Sequence, residues 1–301
     1  MRNKGWTLGI IVLASLAFVA VALALVATPA HASITGTPLP SYGNDWNITQ
    51  DTTVLGESIK LQGDIIVNPG VTLKIRNTEV KFNSSSMGEH GIFIDSDSSS
   101  GDGVVELDDC TIRSDYDDYG WYCEVWGSLK ITKARLYNVE DGIWVYSDNV
   151  DIANMTLYAQ GRYGMNILHG DPKIVDSDIF AKGYSGSTVT GIRLFGNSSD
   201  RAAPTFKGVT LKVYRNDDIY STSSSTYINF NMIGLDSYYG QFTKLEGLEI
   251  HFEATADVMV NYTGGPRVYA YFDALGIYLG GGTILGGMDI TISGSLYHID
   301  A

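Results

Sequence analysis

The strongest constraint on this chain is a block that keeps returning: an apolar pair two residues apart and then, five residues after its second member, another apolar residue. It reads Leu73-Lys74-Ile75 with Val80, Val105-Glu106-Leu107 with Ile112, Leu129-Lys130-Ile131 with Leu136, Val150-Asp151-Ile152 with Leu157, and Pro172-Lys173-Ile174 with Ile179. Degenerate copies follow at Phe206 with Leu211, Leu245 with Ile250 and Leu285 with Ile290. Between the copies lies a second block, a glycine followed by an alternating strand: Gly91-Ile92-Phe93-Ile94, Gly142-Ile143-Trp144-Val145, Gly164-Met165-Asn166-Ile167, Gly191-Ile192-Arg193-Leu194 and Gly276-Ile277-Tyr278-Leu279, with a short echo at Gly234-Leu235. Alternation places one face of a strand inside and the other outside. The tightest copies recur at roughly 22 residues, the interval expected when each turn of chain contributes short strands and stacks on the last.

No stretch after residue 32 carries apolar residues at helical spacing, and β-branched and aromatic residues fill the strand positions. The pattern therefore predicts an all-β solenoid of about 8 to 10 coils. Inward Ile, Leu and Val form ladders, and Gly, Asn and Asp turn the corners. After Phe206 the interval stretches to about 40 residues, so 216–227 and 253–273 read as long insertions, with a degenerate extra coil as the alternative.

The N-terminus reads as an export signal. Arg2 and Lys4 precede an apolar run from Thr7 to Ala27, and Ala30 and Ala32 suit a signal peptidase, so residues 1–32 are a signal peptide or an uncleaved anchor and 33–301 one domain. The expected location is secreted or on the extracellular surface. Acidic residues outnumber basic ones 34 to 20, for a net charge of −14, and no basic run interrupts the chain, which argues against nucleic acid as a partner.

The pairing of blocks in Gly142-Ile143-Trp144-Val145 through Val150-Asp151-Ile152 and Leu157 resembles the coil unit of right-handed parallel β-helix proteins, the pectin-lyase-like superfamily. The opening, Trp46 to Ile75, is similar to the first coils of secreted microbial, especially archaeal, surface-protein members. The resemblance covers roughly Trp46 to Ile292. It implies a right-handed parallel β-helix. That superfamily includes lyases, hydrolases, adhesins and surface-layer components, so it implies little about chemistry.

Stacking brings the outward residues of the glycine-led strands into one column: Phe93, Trp144, Asn166, Arg193, Asp236 and Tyr278, beside Asp95, Tyr146, Leu168 and Phe195. Flat rings cover the C–H faces of a sugar while polar groups bond its hydroxyls, so Trp144, Tyr146, Asn166, Arg193, Phe195, Asp236 and Tyr278 are candidate ligand-binding residues. Packing beneath the long insertions is the competing explanation. The other outward column, Lys74, Glu106, Lys130, Asp151, Lys173, Thr205 and Lys244, reads as a solvated face.

Asp176, Asp178 and Lys182 are weak catalytic candidates, since a glycosidase needs two carboxylates and a lyase a base. Asp176 and Asp178 equally fit a ladder of turn residues. Asp95, Asp97 and Asp102 are weak calcium candidates, as Asp-x-Asp can begin an oxygen-ligand site. No other cofactor is implied. Cys110 and Cys123 are expected to form a disulfide outside the cell, with one thiol buried in the core and the other exposed as the alternative. Asn47, Asn83, Asn197 and Asn261 head glycosylation sequons, as does Asn154 within a coil.

These features favour a non-catalytic binding or structural protein whose partner is a glycan or cell-envelope component. A polysaccharide lyase or glycoside hydrolase is the first alternative. An envelope or filament subunit, self-associating through its C-terminal coil, is the second.

Overall fold

A computed structural model of the chain describes residues 33–184, 186–196, 202–221, 225–238, 241–242, 244–260, 267–280, 283–284 and 288–300. The export segment, Asn197 and Asn261 lie outside these residues. Among those described, every regular element is a strand, so the all-β expectation holds. No helix among them is long and apolar enough to cross a membrane.

The strands pair in parallel through repeated passes over the same ladders. In the first ladder Val54, Ile75, Leu107, Ile131, Ile152, Ile174, Phe206, Leu245 and Met288 are successive register partners. In the second, Ile59, Val80, Ile112, Leu136, Leu157, Ile179, Leu211, Ile250 and Ile292 follow one another. The third runs Trp46, Ile65, Ile92, Cys123, Ile143, Met165, Ile192, Leu235 and Ile277. Up to Leu245, Ile250 and Leu235 these side chains are buried and form the core. Each buried Ile or Leu contributes about 1.5–3 kcal/mol relative to exposure.

The apolar blocks thus land on one another as their spacing requires, with one displacement. A register irregularity after Leu245 makes Ile290 the partner of Leu248 and puts Ile292 opposite Ile250, so Met288 and Ile292 continue the two ladders, while Leu285 lies outside the described residues. The solvated column from Lys74 to Lys244 is in register throughout.

Backbone geometry explains the glycines and the Asn/Asp corners. A Cβ on Gly142 would lie 2.0 Å from the Gly164 carbonyl oxygen, and one on Gly164 would lie 2.4 Å from that of Gly191. Only a residue without a side chain lets these strand starts stack so closely. Two residues past Ile75, Leu107, Ile152, Ile174, Phe206 and Leu245, the corner residues Asn77, Asp109, Asn154, Asp176, Gly208 and Gly247 all have φ between 46° and 60°. This left-handed conformation favours Asn, Asp and Gly.

The expected insertions at 216–227 and 253–273 are corrected by the structure. Their described parts prolong strands: Thr205–Ser221 pairs with Lys244–Val260 along its length, and Ser225–Tyr238 with Arg267–Gly280. The repeat lengthens because the strands do. Alternation continues there, with Val213, Arg215 and Asp217 buried on one strand and Ile228, Phe230 and Met232 on another. Arg215 Nη2 donates to Asp217 Oδ2 at 2.7 Å, and Nη1 donates to the carbonyls of Ser187 and Asn229 at 2.8 and 2.9 Å.

The Arg215–Asp217 pair is 1% and 2% exposed, so removing one partner strands a buried charge. Asp217→Ala is expected to cost about 3–5 kcal/mol in a denaturant titration. A loss below about 1 kcal/mol would contradict this role.

Candidate functional site

The outward column of the third ladder is in register as anticipated: Phe93, Glu124, Trp144, Asn166, Arg193, Asp236 and Tyr278 are successive partners. Glu124 was missed because its strand, Trp121–Val125, has Tyr122 where the others have glycine. The alternation of Trp121, Cys123 and Val125 was the available signal. Asn166 departs from the expected exposure: it is 1% exposed and covered. Asp236 is 9% exposed, Phe93, Trp144 and Arg193 are half-buried, and Tyr278 is exposed.

The adjacent position carries the exposed rings. Trp126 stacks on Tyr146 with centroids 3.8 Å apart and planes within 4°. A register irregularity sets His169, not Leu168, opposite Tyr146. Phe195 is then paired with Tyr238. Trp126 is 48% exposed and Phe195 45%. Five strands at about 4.8 Å spacing make this strip roughly 19 Å long. Sequence reading missed Trp126, Tyr163 and Tyr238.

Arg193 organises the centre of the face. Its Nη1 donates to the Tyr163 hydroxyl at 2.7 Å, and its guanidinium lies 5.2 Å from the Tyr163 ring centre and 4.9 Å from that of Phe195. Such contacts hold the planar cation in place. Asn166 Oδ1 and Asp236 Oδ1, one strand away on either side, are enclosed without a hydrogen-bond partner. Burial raises the Asp236 carboxyl above its ordinary range, and nearby Arg193 partly offsets this.

The catalytic candidates are not brought together. Asp176 occupies a left-handed corner. Asp178 and Lys182 are exposed on the strand Lys173–Gly183, four residues and so about 13 Å apart. Lys182 instead joins Tyr137, Tyr158, Gln160 and Tyr214 around a groove of about 220 Å³. Nearby in register, Glu140 pairs with Gln160, which pairs with Lys182. Glu140 is a buried acid that sequence reading passed over. Its Oε2 accepts a 2.8 Å hydrogen bond from the Tyr184 hydroxyl, and burial raises its carboxyl above the usual range. The adjacent Asp141 is held by Arg162, with Oδ2 accepting from Nη2 at 3.0 Å.

Two of the calcium candidates are engaged locally. Asp97 Oδ1 accepts from the Ser99 amide and hydroxyl, while Asp102 accepts from Ser96 Oγ and Asn149 Nδ2, both at 2.7 Å. Among the described residues, no three His, Cys, Asp or Glu side chains are placed to share a metal ion.

The disulfide expected between Cys110 and Cys123 is not formed. Both thiols are free and buried. They belong to one pass but to different ladders, Cys110 opposite Ala134 and Cys123 between Ile92 and Ile143. Burial pushes each thiol up to about 12, which suppresses thiolate chemistry. Asn47 and Asn154 are exposed, and Asn83 is half-buried with Nδ2 donating to the Tyr42 hydroxyl at 3.3 Å.

Two variants separate structural from chemical roles. Asp176→Gly should leave stability within about 0.5 kcal/mol, whereas Asp176→Val should lose about 1–2 kcal/mol or more at the left-handed corner. Equal stability of the two, measured by urea unfolding, would contradict the corner assignment. Glu140→Gln keeps an acceptor for Tyr184 without a buried charge. Because folding raises this carboxyl, its ionisation destabilises the fold as pH rises, so the variant should melt higher than the parent at pH 7. The gain should shrink as pH falls below the folded pKa. A gain that grows towards acid pH would contradict the sign.

No protein-family model, curated protein or solved structure matches the chain.

Proposed function

We propose that the chain is a right-handed parallel β-helix, secreted or displayed at the cell surface, that binds glycan without catalysis along the outward face of its third ladder. The parallel ladders and their stacked glycines support the β-helix, and the N-terminal pattern of Arg2, Lys4 and the apolar run supports export. One observation carries the binding reading. Arg193 is fixed between Tyr163 and Phe195, beside the enclosed and unpartnered carboxylate oxygen of Asp236, in a strip with exposed Trp126, Tyr238 and Tyr278. Apolar ring surface beside directional polar groups is the composition a sugar requires.

The enzymatic alternative draws its support from Glu140, whose raised carboxyl suits a proton donor. It also needs a second carboxylate across a sugar bond, and neighbouring Asp141 is committed to Arg162.

A polysaccharide panel tests the proposal by measuring binding and product release together. Binding without released product is expected, with Arg193→Ala weakening it about tenfold or more, the effect of losing a charged hydrogen bond. Phe195→Ala should weaken it in the same direction while leaving the fold intact by circular dichroism. Release of oligosaccharides, or binding indifferent to both folded variants, would overturn the reading.

A further inference from the structure

The glycan-binding reading can be carried one step further, to the class of glycan, from the relation between Arg193 and Asp236. The two are register partners on adjacent strands, where spacing is about 4.8 Å. Oppositely charged neighbours at that spacing are well placed to close into an ion pair. Some such partners do: Lys74 lies 3.2 Å from Glu106 and Lys207 3.8 Å from Glu246, whereas Asp151 forms no ion pair with its partners Lys130 and Lys173. Among the described residues, Arg193 and Asp236 form no such pair with each other or with another side chain.

The reason lies in how Arg193 is held. Its Nη1 is drawn to the Tyr163 hydroxyl and its plane is held against Tyr163 and Phe195, so the guanidinium is anchored away from the carboxylate. Asp236 stays beneath, more than nine-tenths buried, with Oδ1 enclosed and unpartnered. Because Oδ1 is enclosed, a third group that satisfies both members must meet the carboxylate at its other oxygen, Oδ2.

The chemistry of that group is narrow. It must accept from a guanidinium and donate to a carboxylate. A ligand carboxylate or sulfate would satisfy Arg193 but face Asp236 across one strand, in a chain of net charge −14. An ammonium would satisfy Asp236 but face Arg193. A hydroxyl does both and brings no charge of its own. We infer that this face takes an uncharged glycan, one of whose hydroxyls bridges Arg193 and Asp236 while exposed Phe195, Tyr238 and Tyr278 cover its C–H surface.

The inference rests on the glycan-binding reading, and titration calorimetry on the purified full chain separates the two. The probes are cellohexaose, xylohexaose and mannohexaose as uncharged chains, hexagalacturonate as an anionic chain and chitosan hexamer as a cationic one. An uncharged hexamer should bind, and Asp236→Asn, which keeps the shape but not the charge, should weaken it about tenfold or more. Arg193→Gln, a second variant that does not touch the buried carboxylate, should do the same. If only the anionic or cationic hexamer binds, the inference falls while the glycan-binding reading stands. Binding of uncharged chains unaffected by either folded variant would overturn the bridge. Failure of every hexamer to bind would overturn the inference and the reading beneath it.

Discussion

Backbone hydrogen bonds between equivalent strands of successive passes are what the rest of this molecule depends on, and they admit essentially one register. A slip by one residue would turn every inward Ile, Leu and Val outward. The register is enforced at several points in each pass. Glycines such as Gly142 and Gly164 allow the strand starts to approach closely, and Asn, Asp or Gly at the left-handed corners fixes where the first ladder ends and the second begins. Where the chain deviates, as after Leu245 or between Val145 and Tyr146, the irregularity is local and the ladders resume.

The same register creates the outward faces. Residues far apart in the chain, Trp126, Tyr146, Phe195 and Tyr238, become a strip because their inward neighbours stack. Stacking also limits what such a strip offers. Trp126 and Tyr146 lie face to face, and so do Tyr137, Tyr158 and Phe180 on the second ladder. Parallel rings of this kind use their faces on one another and present edges outwards. The rings beside Arg193 differ: Tyr238 and Tyr278 are tilted by 58°, and both are exposed. That difference directs attention to the Arg193 end of the strip.

Much of the fold was legible in the sequence because period-2 alternation and recurring apolar blocks are direct consequences of the ladders. The column from Phe93 to Tyr278 could be read for the same reason. What escaped was whatever broke local pattern while keeping register. Trp121–Val125 begins without glycine, so Glu124 and Trp126 were overlooked. Arg215 and Asp217 occupy inward positions where apolar residues are expected, so a long strand looked like an insertion. The cysteines were misread because distance along the chain does not say which ladder a residue joins. Asn166 was placed on the correct column, but the depth to which neighbouring side chains cover it is a property of packing that alternation does not encode.

The account depends most on Arg193 and Asp236 being neighbours across a parallel pair, and disulfide trapping measures this directly. Arg193→Cys combined with Asp236→Cys places two thiols on adjacent strands, within the roughly 4.4–6.8 Å Cα separation that a disulfide spans. Cys110 and Cys123 are buried and remain as an unreactive background. The account predicts that mild oxidation links the introduced pair in the folded protein, while Arg193→Cys with Ser225→Cys, far along the partner strand, stays reduced. A folded Arg193→Cys, Asp236→Cys protein whose thiols do not join would contradict the register and, with it, the site.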